Sequence, residues 1–315
     1  RICSNLYTNG NPYKLTKIGL GQFSIVGANV DSALGDIDLQ SGVLSIESTI
    51  SSLGDPNAKI SIAPGSVLQF WATTLDLSKH MELNGGTVKT GSGTGATNNV
   101  FSGPISVNAP SFIETNGGNF ISTGALSGSN SLSKLGGSGN TLTLNGDGTA
   151  YTGAISSSAG TITVGNSNAL GNAAGVTLTN GTTTYGGTVT RLNLNGSGSD
   201  VVINNIPLIM NSSLNGTSEQ RTSLTSTGNN TWGGSITVNG VSPTGLSCDN
   251  GTFTVNGNIT GTHSSTFFLR GGAGNGILNG TFNIPAANVF KTDNNTWTIN
   301  STGNTAGAMG VAVGT

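Results

Sequence analysis

The sequence predicts an all-β protein built as a β-solenoid, with short strands stacked coil upon coil and irregular Gly/Asn-rich turns. Three observations predict it. The 315 residues include 51 Gly, and only 8% are charged and 5% aromatic. Val, Ile, Leu and Thr alternate over three to five residues and are then broken by Gly, Asn or Ser-Gly, the pattern of half-buried strands and turns. The same strand-and-turn units also recur along the chain.

The repeats come in three kinds. Ser41–Ile46, then Ser52–Asp55, then Lys59–Leu68 are matched in order by Ala159–Val164, Ala169–Asn172 and Gly175–Thr184. An aromatic-x-Gly-x-Ile unit occurs as Phe101-x-Gly103-x-Ile105, Tyr151-x-Gly153-x-Ile155 and Trp232-x-Gly234-x-Ile236. The third kind joins Lys134 to Asn140–Leu144 and Lys291 to Asn295–Ile299. A strand this short with one apolar face cannot cover that face alone. Stacking on the next coil, at about 4.8 Å, covers it. Roughly 20–30 residues per coil gives on the order of 10–15 coils. In the aromatic units the ring is expected to fill a corner, the Gly to permit the turn, and the Ile to start the next inward row. These nine residues are read as structural elements. Residues 1–40 are expected to be a capping segment and 41–315 the solenoid repeats, broken off within a repeat.

The strongest helix candidate is Leu75–Leu83, and it is short. No run approaches the 18 apolar residues of a membrane span. The chain starts with Arg1, as a processed or trimmed chain would. A net charge of −2 and the lack of a basic patch with interleaved aromatics argue against nucleic acid as a partner. Two cysteines, Cys3 and Cys248, make no disulfide scaffold. Each is expected to be an isolated thiol, Cys248 in a turn.

One stretch carries a family resemblance. Leu132–Gly146, followed by Ala150–Gly153, Ala159–Val164, Asn168–Gly171 and Val176–Leu178, resembles the autotransporter-associated β-strand repeat. Lys134, Gly139, Leu142, Leu144, Gly146, Tyr151, Gly153, Gly160 and Thr161 fall where that repeat keeps its residue types. A degenerate copy runs from Val289 to Thr315, and weaker echoes cover about half of the chain. The resemblance implies a right-handed parallel β-helix from the passenger region of a type V secreted bacterial surface protein. The family's membrane-embedded barrel has no counterpart in these residues.

Candidate chemistry is sparse. Glycan-cleaving solenoids need converging carboxylates, and the 13 acids are scattered. Asp36-x-Asp38 is the one close pair, and on a strand both would share a face. Asp76 and Glu82 flank His80; His80 and His263 are read as surface residues. Gly271–Ile277 is similar to the calcium-binding nonapeptide of RTX proteins but has Gly276 in place of the ligand Asp. Five Thr-x-Thr strings start at Thr141, Thr161, Thr177, Thr252 and Thr296. An ice-binding face would need them evenly spaced, and they are not. Sequons at Asn180, Asn195, Asn211, Asn215, Asn229, Asn250, Asn258, Asn279, Asn294 and Asn300 are expected to stay bare.

The sequence therefore points to an extracellular, bacterial cell-surface protein, a structural or adhesive β-helical stalk of the kind associated with virulence. Its partner would be a glycan or protein on a host or neighbouring cell, or a second copy of itself. A subunit of an extracellular filament or sheath, joined by strand-edge pairing, is the alternative. A glycan-active enzyme is the less favoured third reading. No catalytic, cofactor-binding or metal-binding residue is expected.

Overall fold

The computed structural model describes residues 1–91, 97–137, 139–179, 190–212 and 223–314. Among them there is no helix, and the strands stack in parallel as a β-solenoid. The chain divides into two compact units, Arg1–Ala154 and Ile155–Thr315.

The N-terminal unit has three faces. The first is a ladder of seven parallel strands: Leu15–Lys17, Ile37–Leu39, Lys59–Ile62, His80–Asn84, Ile105–Ala109, Leu126–Gly128 and Ala150–Tyr151. Leu15, Ile37, Ile60, Met81, Ile105 and Leu126 are successive partners in register, one coil every 21 to 24 residues. The second face runs from Gln22–Val26 through Val43–Glu47, Val67–Trp71, Thr87–Gly91 and Ser111–Asn116 to Leu132–Gly136. The third joins Asp76–Leu77, Thr97–Phe101, Gly118–Ser122 and Thr141–Leu144. The segment 1–40 contributes Leu15–Lys17, Gln22–Val26 and Ile37–Leu39 to the first two ladders.

The C-terminal unit is built the same way. One face carries Gly175–Thr179, Leu208–Ser212, Ile236–Gly240 and Ile259–Thr260. A second carries Thr161–Val164, Arg191–Asn195, Leu224–Thr227, Thr244–Asn250 and Thr266–Arg270. The third carries Val202–Ile203, Asn230–Trp232, Thr252–Val255, Asn275–Leu278 and Trp297–Ile299. The ten-residue strand Phe282–Lys291 bends across the first two faces, pairing with Ile259–Thr260 at one end and Thr266–Arg270 at the other.

The segment read as a helix, Leu75–Leu83, is two strands, Asp76–Leu77 and His80–Asn84. Leu75, Leu77, Lys79, Met81 and Leu83 are all buried, a strict period of two. Lys79 disguised it, because a lysine is expected to face water.

Candidate functional site

Each aromatic-x-Gly-x-Ile unit sits in a corner with its ring inside. Phe101, Tyr151 and Trp232 are buried, as are Ile105, Ile155 and Ile236. Phe101 stacks on Phe120 at 3.9 Å between centroids and meets Phe70 edge-on at 5.1 Å, so three coils share one aromatic column. Tyr151 is placed differently. Its strand Ala150–Tyr151 belongs to the first face, whereas Phe101 ends a third-face strand. The Tyr151 hydroxyl lies 2.9 Å from the Asn130 carbonyl and 3.0 Å from that of Ala154, and burial pushes its pKa up to about 12.

The glycines serve close approach rather than an unusual dihedral. Gly103, Gly153 and Gly234 are not among the positive-φ residues. A Cβ on Gly103 would strike the Lys79 carbonyl oxygen, on Gly153 that of Asn130, and on Gly234 that of Ile206. The pattern propagates: the Gly103 carbonyl fills the Cβ position of Gly124, and the Gly124 carbonyl that of Gly146. Gly234, Gly257 and Gly280 form the matching column in the C-terminal unit.

Asp36 and Asp38 do share the outer side of the first face, but they have different partners. Asp36 Oδ1 accepts the Lys59 backbone N–H at 3.0 Å, and Asp38 pairs with Lys14 at 3.5 Å. One coil on, Lys59 Nζ meets Glu82 at 3.1 Å, which raises the Lys59 pKa. His80 Nε2 lies 2.8 Å from Ser106 Oγ, and Ser106 lies 3.1 Å from Ser127 Oγ. Each contact ties one coil to the next, so the carboxylates are spent on coil-to-coil pairs. Asp76 accepts from Ser102 Oγ at 2.6 Å and does not join His80. Among the described residues, no three His, Cys, Asp or Glu side chains come together to hold a metal.

Two expected surface or turn residues lie inside. His263 is buried, its ring against Ser212 Oγ at 3.5 Å and the Thr266 carbonyl at 3.3 Å, and burial holds its pKa below the ordinary value. Cys248 stands within the strand Thr244–Asn250, buried, with its thiol pushed up to about 11 by burial. Cys3 is exposed, and both thiols are free. Cys248 stands two residues after Leu246 on a strand buried from Thr244 to Cys248.

Sequence reasoning missed the buried lysines as a class. Lys17 Nζ donates to the carbonyls of Ile18, Gly19 and Ser41 at 2.6–3.0 Å. Lys79 Nζ does so to Leu34, Gly35 and Asp55 at 2.6–3.1 Å, and Lys291 to Thr292, Asp293 and Val313 at 2.7–3.1 Å. An ammonium has three donors, and each nest supplies three acceptors. Lys134 is also buried, with its pKa pushed down to about 8 by desolvation. The signal was present: Lys134 and Lys291 recur at equivalent places in the repeat.

The outer columns explain the uneven Thr-x-Thr spacing. Thr252/Thr254 and Thr296/Thr298 lie two coils apart on one face, with Asn275 and Ile277 between them, while Thr161/Thr163 and Thr177/Thr179 lie on other faces. Asparagines stack alongside: Asn279 Nδ2 donates to Asn256 and Asn300 Nδ2 to Asn279, both at 2.8 Å. Of the sequon asparagines, Asn229 and Asn258 accept backbone N–H groups of the next coil, from Thr252 and Thr281, at 3.0 Å. Asn180 and Asn215 lie outside the described residues. Gly271–Gly274 is a loop leading into the strand Asn275–Leu278. What the geometry offers is a set of self-bonded polar columns over an apolar core. No family model, curated protein or solved structure matches the chain significantly.

Proposed function

We propose that the protein is a structural and adhesive element of a bacterial cell surface, as its resemblance to autotransporter passengers implies. The observation that carries this reading is the outward side of the ladders. Ser, Thr and Asn side chains there bond from coil to coil, as in Asn256–Asn279–Asn300 and Asn84–Asn108. Such a surface is rigid and nearly uncharged, and it meets a partner over an area rather than in a cleft. The exposed ion pairs Lys59–Glu82 and Lys14–Asp38 add little stability and fit a surface that repeats instead of reacting. Beads coated with the purified chain should adhere to cells bearing surface glycans or proteins, and bovine albumin beads should not. Absence of adhesion at any protein density would refute the adhesive reading. Ordered polymers in electron micrographs would favour a filament or sheath subunit instead.

A further inference from the structure

We propose that Trp71 is a stacking platform for a neutral hexopyranose of a surface glycan; this rests on the adhesive reading and names its ligand. The chain has three tryptophans. Trp232 and Trp297 are buried, whereas Trp71 is 40% exposed at the end of the second-face strand Val67–Trp71. Tyr7 and Tyr13 are exposed as well, and Phe112 in part, but Trp71 is the one tryptophan of the three left in water. Its position is fixed from below. Trp71 is the register partner of Gly91, where a Cβ would stand 2.9 Å from Cε3 and 3.1 Å from Cζ3 of the indole. The six-membered ring thus rests on the glycine of the next coil. A covering role alone would be met by any ring over a bare strand glycine; the flanking groups point further.

Polar pairs bracket the ring. On the coil before it, Glu47, the register partner of Trp71, is paired with Arg1 at 3.1 Å. Two residues back along the strand stands Gln69, and beyond it in the same column Lys89 and Glu114 pair at 2.9 Å. Side chains on diagonal positions of neighbouring strands come within about 7–8 Å, which puts Lys89 beside the indole and its partner Glu114 one strand further on. A pyranose ring has an apolar C–H face, which suits an indole, and a rim of hydroxyls that both donate and accept. Carboxylate, carboxamide and ammonium groups match that rim. The charges cancel, two cations against two carboxylates, which favours a neutral sugar over an acidic one.

The test uses the whole 315-residue chain with cellohexaose, laminarihexaose and mannohexaose as probes, and polygalacturonate as the acidic comparison. Trp71 should dominate the acrylamide-quenchable fluorescence, and at least one neutral hexasaccharide should protect it. Trp71→Ala should weaken that binding by tenfold or more, and Trp71→Phe, which keeps a ring over Gly91, by less. The protection measurement needs no variant, so it stands even if Trp71→Ala folds poorly. Undiminished binding by a folded Trp71→Ala, or binding of polygalacturonate alone, overturns the proposal, as does failure of every neutral probe to protect Trp71. Should beads of folded Trp71→Ala adhere as wild type, this site falls and the adhesive reading stands. Should the chain bind a neutral hexasaccharide through Trp71 yet never adhere, the site stands and the adhesive reading falls.

Discussion

The hydroxyl of Tyr151 decides what a conservative substitution there does. From the sequence, a ring filling a corner would tolerate Tyr151→Phe. The structure puts the buried hydroxyl within reach of two carbonyls. Tyr151→Phe should therefore cost about 0.5–1.5 kcal/mol, read as a lowered urea midpoint. Ile155→Ala should cost more, about 2–5 kcal/mol, because it empties a buried site. An equal effect of the two would show that the hydroxyl's hydrogen bonds hold the corner as firmly as the row of Ile does. His263 gives a pH signature. Burial holds its pKa below the usual 6.5, so the unfolded chain binds a proton that the folded chain resists. Stability should fall as pH is lowered through 6.5 and level off below the folded-state value. His263→Gln should flatten that part of the profile in thermal melts between pH 5 and 7.5.

At the scale of the strand and its corner, the period of two was legible wherever both inward residues were apolar, as in Leu142 and Leu144 or Ile162 and Val164. It was illegible where an inward position carried a cation. Lys79 turned an alternating strand into an apparent helix, since nothing in one sequence says that three carbonyls wait for its ammonium. His263 and Cys248 were misplaced for the same reason, because a turn-rich neighbourhood looks exposed until the coils are stacked. Glycine roles were half legible. That Gly103, Gly153 and Gly234 mattered could be read from their recurrence, but the cause is a carbonyl of the preceding coil, a long-range contact. Lys79→Met keeps the bulk and removes the donors, leaving Leu34, Gly35 and Asp55 carbonyls without them. It should destabilise by about 1–3 kcal/mol per carbonyl that water cannot reach. A melting temperature unchanged from wild type would show that water enters the nest. Gly124→Ala should be worse than a surface Gly198→Ala, since its Cβ meets the Gly103 backbone while that of Gly198 meets nothing within 4 Å.

At the scale of the whole molecule, the fold class followed from composition and recurrence, because only stacking lets such short strands bury a face. Circular dichroism should show essentially no helix; a helical content near the roughly 30% of average globular proteins would contradict the architecture. The surface was the less legible part. Trp71 gave no signal in the sequence, where it reads as one more apolar residue ending a strand. Its exposure depends on which side of the second face it falls, and its support depends on a glycine 20 residues later.

The coil-to-coil register has a mechanical consequence. Within each unit the backbone hydrogen bonds join neighbouring coils, so a load that separates coils opens one ladder step before the next is stressed. Each coil of 21 to 24 residues in the first-face ladder holds about 70–85 Å of extended chain. Pulled by its ends in a single-molecule force experiment, the N-terminal unit should lengthen in near-equal increments of that size and the C-terminal unit in larger, less even ones, yielding stepwise under tension in place of one all-or-none rupture.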